Sequence, residues 1–165
     1  REGDIHIYTE ENVAEAIETR IPYVFRENRY PGVPNLKIHR VTTEPFMAAG
    51  IEIIPIRVMH GRLPILGFRI GNMAYLTDLK SLPEEEYAKL EGLDVLIITA
   101  LRWEEHPTHE SVGEALEQIG RIRPKESYLI HMSHRIGLQS QVEKELPPHV
   151  HLAYDQLEIP KLQPV

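Results

Sequence analysis

Five short apolar runs, at 51–58, 65–70, 73–77, 95–99 and 128–130, are joined by two different kinds of connection. That change of connection constrains the fold more than anything else in the chain. The first three runs are separated only by the stretch from Gly61 to Pro64 and by Gly71-Asn72, a dipeptide that tolerates positive φ, so they read as antiparallel hairpins. The later runs are separated by segments with helical character, 83–90 and 110–122, and a helical crossover keeps successive strands parallel. A chain that uses both connections predicts an α/β class with a mixed sheet. Counting the reversals places His60, Asp78 and His131, each just past a strand, at one edge of that sheet. Two neutral imidazoles and a carboxylate are donors suited to a borderline-soft divalent ion, and a carboxylate can bridge two such ions.

Composition narrows the function classes. The 165 residues amount to about one domain, 42% hydrophobic and 26% charged, which is ordinary for a globular protein. A net charge of -7 offers no general basic surface to a nucleic-acid backbone, so nucleic acid is disfavoured as a partner. With no cysteine there is no disulfide framework and no thiolate metal site, and any metal must be held by His and carboxylate. No apolar run approaches the length of a membrane span, and a cytoplasmic location is the default expectation.

Along the rest of the chain, residues 5–8 read as a strand. Thr9 is placed to cap a helix over 10–20 with Val13, Ala16 and Ile17 on one face. Strands are expected over 36–41 and 51–58, with 42–50 as their connection. Ser81-Leu82-Pro83-Glu84 has capping-box spacing and predicts a helix over 83–90. Residues 110–122 carry Val112, Ala115, Leu116, Ile119 and Ile122 at helical spacing, ended by Pro124. A weaker helix is expected over 139–146, and 150–154 with 157–159 form a candidate closing pair of strands.

These motifs resemble the metallo-β-lactamase fold hydrolases, and within them the PhnP-like phosphodiesterase branch. Val58-Met59-His60-Gly61 ahead of Gly67-Phe68 resembles that family's metal-binding His before a glycine-aromatic strand. Ala74-Tyr75-Leu76-Thr77-Asp78 is similar to its bridging Asp motif, and Leu129-Ile130-His131-Met132-Ser133-His134 to the motif whose first His binds the second metal. Pro107-Thr108-His109 resembles the position whose His approaches the substrate phosphate, and His131-x-x-His134 the double-His ending of the branch. The family's His-x-His-x-Asp-His motif does not occur in these residues. The resemblance therefore implies roughly the C-terminal two-thirds of an αββα sandwich with mixed sheets, as a single domain over 1–165 that is incomplete at its N-terminus.

It further implies two divalent ions, zinc or manganese, in the complete protein, with His60, Asp78 and His131 as ligands, His109 as catalytic residue and His134 at the substrate. The implied reaction is hydrolysis of a small, cyclic or acyclic, phosphodiester by a metal-bound hydroxide. Its substrate is a small anion, no membrane is involved, and a homodimer is compatible with the reading. A tRNA 3′-processing endonuclease, a thioester or lactam hydrolase, and a non-catalytic incomplete domain are the competing readings, the last because three ligands do not complete a two-metal site. His6, His39, His106, His149 and His151 read as surface or strand-face residues, and Trp103 as either a pocket wall or sheet packing.

Overall fold

A computed structural model describes residues 3–28, 30 and 32–159 of the chain. It contains two compact units, Arg1–Glu44 and Pro45–Val165. In the first, β1 (Asp4–Thr9) runs parallel to β2 (Asn35–Arg40), with α1 (Glu11–Arg20) and a 3-10 turn, Pro22–Phe25, between them. Arg40 at the end of β2 reaches Glu11 and Glu18 on α1 at 2.8 and 2.9 Å, tying helix to strand. Thr9 does not cap α1. It closes β1, its carbonyl accepts the Val41 amide, and Glu10 takes the N-cap position without a side-chain capping bond to the helix. The buried residue of α1 is Ala14, while Val13 is exposed.

The second unit is built on a seven-stranded sheet in the order β3-β4-β5-β6-β7-β8-β9. β3 (Phe46–Ala48), β4 (Ile51–His60), β5 (Leu63–Ile70) and β6 (Met73–Leu76) pair antiparallel in succession. β6, β7 (Val95–Thr99), β8 (Glu126–Ile130) and β9 (Val150–Leu152) run parallel. This is the α/β fold with a mixed sheet that the two kinds of connection demand. β3 was not expected: it pairs with β4 across Ala49-Gly50, both at positive φ, a tight reversal without the Asn or Asp that usually marks one.

Alternation puts Ala74 and Leu76, Leu96 and Ile98, Ser127 and Leu129, and Val150 and Leu152 on one buried face of the sheet. α2 (Val112–Ile122) joins that core through Val112, Ala115 and Ile119. Each fully buried Leu or Ile contributes roughly 1.5–3 kcal/mol relative to exposure. Three expectations fail locally. The 83–90 segment is a 3-10 helix, Glu84–Leu90, and Ser81 caps nothing because its backbone pairs with Met59. α3 is a single turn, Gln139–Val142. β9 pairs alone with β8, and residues 157–159 form no strand. No helix among the described residues is long and apolar enough to cross a membrane.

Candidate metal centre

His60 is the last residue of β4, and main-chain bonds fix what stands beside it. Met59 donates its amide to Ser81 and accepts from Lys80 and Ser81, which binds the end of β4 to the turn just after Asp78. The Glu110 amide donates to the Leu79 carbonyl at 2.8 Å, bringing His109 to the same turn. At the end of β7, Ala100 donates to Ile130 and Leu101 accepts from Ser133, each at 2.9 Å, so the His131 turn is pinned on the other side. Each candidate residue thus sits next to a backbone bond that leads to another. Local sequence allows the close approach: Gly61, at φ +61°, passes Thr108 so tightly that a Cβ there would stand 3.0 Å from its methyl group.

Asp78 and His131 both adopt left-handed backbone, at φ 57° and 62°. Asp and His tolerate that region better than most residues, but each still costs about 1–3 kcal/mol that the surroundings must supply. In both cases the left-handed residue follows the end of a strand, β6 for Asp78 and β8 for His131.

The side chains converge. One ligand atom each from His60, Asp78 and His109 lies within 4.8 Å of the other two, close enough to hold one metal ion. Asp78 Oδ1 is 3.5 Å from both His109 Nε2 and His131 Nε2, and its other oxygen accepts from the Thr77 hydroxyl at 3.0 Å. The His109 ring stacks on His131 with centroids 4.7 Å apart and meets His60 edge-on at 4.6 Å. His60 Nε2 is buried and has no hydrogen-bond partner among the described residues. A buried nitrogen of this kind costs free energy unless something binds it. Burial, and then the neighbouring His131, holds the His109 imidazole below its usual pKa, keeping its lone pair available at neutral pH. Imidazoles and a carboxylate around an orphaned nitrogen fit a divalent ion.

His134 stands apart from this group. It is exposed, opens a 3-10 turn, His134–Ile136, and makes no ring or hydrogen-bond contact with the cluster among the described residues. Trp103 is half exposed and donates its indole N–H to the Ile136 carbonyl at 2.9 Å, while Arg135 reaches Glu104 at 3.0 Å. The loop before His109 is therefore stapled to the loop after His131. His106 belongs to the cluster and sequence reasoning left it on the surface: its Nδ1 is 3.2 Å from His109 Nδ1. Its only sequence signal was proximity to Pro107-Thr108-His109.

The helix after His109 is set by Ser111, whose hydroxyl receives the Glu114 amide while Glu114 accepts from the Ser111 amide, a complete capping box. Glu114 also binds Lys80 at 2.5 Å, linking α2 to the Asp78 turn. Although its burial opposes this, Lys80 and then Ser111 hold the Glu114 carboxyl below its usual range. Glu110, between His109 and the cap, is buried, which pushes its carboxyl up to about 8.

Residues 1–132 match the beta-lactamase superfamily domain. The chain belongs to that superfamily. The superfamily's structures share its fold: a diphosphatase from the PhnP family superposes with a TM-score of 0.85 at 31% identity, over 94% of this chain and 57% of that one. The short form of human tRNase Z superposes at 0.63 with 19% identity, over 94% and 66%, a likeness of fold alone. In sequence the chain is 46% identical over 157 residues to a Porphyromonas gingivalis protein named octanoyltransferase, covering 94% of this chain and 32% of that protein. The chain thus spans a third of that relative and little more than half of the diphosphatase.

Proposed function

We propose that this chain forms part of a metal-dependent hydrolase acting on small phosphodiesters, cyclic or acyclic. The observation that carries the reading is the convergence of His60, Asp78, His109 and His131 at the exits of four different strands or loops, with His60 Nε2 buried and unpartnered. The 31% identity to a solved diphosphatase of the PhnP family supports a substrate attacked at phosphorus over other substrates. Because His-x-His-x-Asp-His is absent from these residues, the reading includes ligands contributed by polypeptide outside them, and the 165 residues alone are expected to be inactive.

In this reading His60 and His131 are the nitrogen ligands and Asp78 stands between them. Two divalent ions, zinc or manganese, would supply Lewis acidity toward the ester oxygens and acidify a water. His109 Nε2 takes the proton of the attacking water and passes it to the leaving oxygen, a task suited to an imidazole kept neutral by burial. His134, exposed beyond His131, meets the distal part of the substrate. Asp78 and His131 are held strained so that neither must reorganise on binding.

A second reading, thioester hydrolysis or acyl transfer, is favoured by the name of the Porphyromonas gingivalis protein. That name describes a protein two-thirds of which lies outside the match, and this chain has no cysteine to carry an acyl group. The test is hydrolysis of bis(4-nitrophenyl) phosphate, a small cyclic phosphodiester and an octanoyl thioester by the full-length protein loaded with zinc or manganese. Metal-dependent phosphodiester hydrolysis that Asp78→Ala abolishes is expected. Turnover of the thioester alone overturns the reading.

A further inference from the structure

We infer that His106, together with Thr108, is a positioning residue that holds His109 in the tautomer with its proton on Nδ1 and its Nε2 lone pair facing Asp78. The consequence for turnover rests on the role proposed for His109 above, whereas the tautomer follows from the contacts alone.

The backbone amide of Thr108 can only donate, and it donates to His106 Nδ1 at 3.4 Å. That nitrogen is therefore an acceptor, and the proton of a neutral His106 resides on Nε2. His109 Nδ1 lies 3.2 Å from the same nitrogen. Two bare lone pairs facing one another at that distance repel, so the hydrogen between them belongs to His109. The Thr108 hydroxyl completes the pattern: it is 2.9 Å from His109 Nδ1, from which it accepts, and 3.3 Å from His106 Nδ1, to which it donates. The His109 Nδ1 hydrogen is then shared between the Thr108 hydroxyl oxygen and His106 Nδ1.

On the other side of the His109 ring Asp78 Oδ1 is the competing acceptor for a proton on Nε2, but at 3.5 Å it is a longer contact than the 2.9 and 3.2 Å acceptors that Nδ1 would lose. With Nδ1 protonated, Nε2 presents a lone pair to the centre of the cluster. A ring nitrogen's state is commonly set by the hydrogen bond its opposite nitrogen makes.

Half-buried His106 lines an open cavity of about 390 Å³ with Lys80, Glu105 and Pro107, so its replacement leaves the core untouched. The test is the pattern of imidazole nitrogen resonances of His109 in the ¹⁵N-labelled full-length protein, at a pH where the rings are neutral. Wild type is expected to show the Nδ1–H pattern, the double variant H106A/T108V the Nε2–H pattern, and H106N, whose amide oxygen accepts from Nδ1, the wild-type pattern. In hydrolysis the double variant should lose about 10- to 100-fold in kcat with KM changed little, and H106N should recover most of it. Wild-type His109 carrying its proton on Nε2, or a double variant that retains it on Nδ1, overturns the inference. The resonance pattern decides this whether or not any phosphodiester is hydrolysed, so a failure of the proposed function is seen separately, as absence of turnover by the wild type.

Discussion

Substituting Gly67→Ala on β5 tests how sheet packing sets the metal centre. A Cβ at position 67 would stand 2.6 Å from Leu76 Cδ2 and 2.9 Å from the Tyr75 carbonyl oxygen. Carbon atoms pack near 3.5–4.0 Å, so Leu76, fully buried, must retreat by roughly 1 Å. The Tyr75 carbonyl is backbone and moves only if β6 shifts away from β5. Overpacking of this kind costs about 1–3 kcal/mol, and the reduced freedom of the unfolded chain returns about 0.4–1 kcal/mol. A net loss of about 1–2 kcal/mol lowers the melting temperature by about 2–8 °C in a chain of this size. Asp78 follows Leu76 by two residues, so the shift should also weaken metal binding. Urea unfolding combined with zinc titration measures both effects. A G67A protein equal to or more stable than wild type, with unchanged zinc affinity, would refute the reasoning.

Glu110 gives a pH prediction. In the unfolded chain its carboxyl loses its proton near the ordinary 4.5, whereas burial keeps the folded group protonated to about 8. Between those values the folded state binds more protons, so stability falls as pH rises through the window, by roughly 5 kcal/mol at most. Glu110→Gln should flatten that slope in urea unfolding at several pH values, and an unchanged slope would contradict it. Ser111→Ala removes the N-cap of α2 and should cost about 1 kcal/mol, read from the urea midpoint, while a neutral result would mean the capping box is idle. A chelator should lower the melting temperature of the metal-loaded protein and leave Asp78→Ala unaffected, since an ion that binds only the folded state stabilises it by mass action.

The sheet was legible because its strands alternate and its turns carry Gly71-Asn72 and Gly61, so counting reversals was enough to bring His60, Asp78 and His131 together. What the sequence hid has local causes. β3 is three residues long and turns at Ala49-Gly50, with too few alternations to register. Ser81-Leu82-Pro83-Glu84 and Ser111-Val112-Gly113-Glu114 share the same capping spacing, and only tertiary pairing decides that Ser81 bonds Met59 while Ser111 caps a helix. His106 lies in a loop where no periodicity operates, and its place beside His109 depends on main-chain bonds from Leu79 and Leu101 to Glu110. The left-handed backbone at Asp78 and His131 likewise leaves no mark in the sequence.

On the proposed reading His60, Asp78 and His131 bind one cationic centre. Anomalous scattering from crystals of the full-length protein grown with zinc or manganese tests it directly. A peak is expected within bonding distance of His60 Nε2 and an Asp78 carboxylate oxygen, lost in Asp78→Ala; a metal-loaded crystal with its peaks elsewhere on the molecule would overturn the assignment.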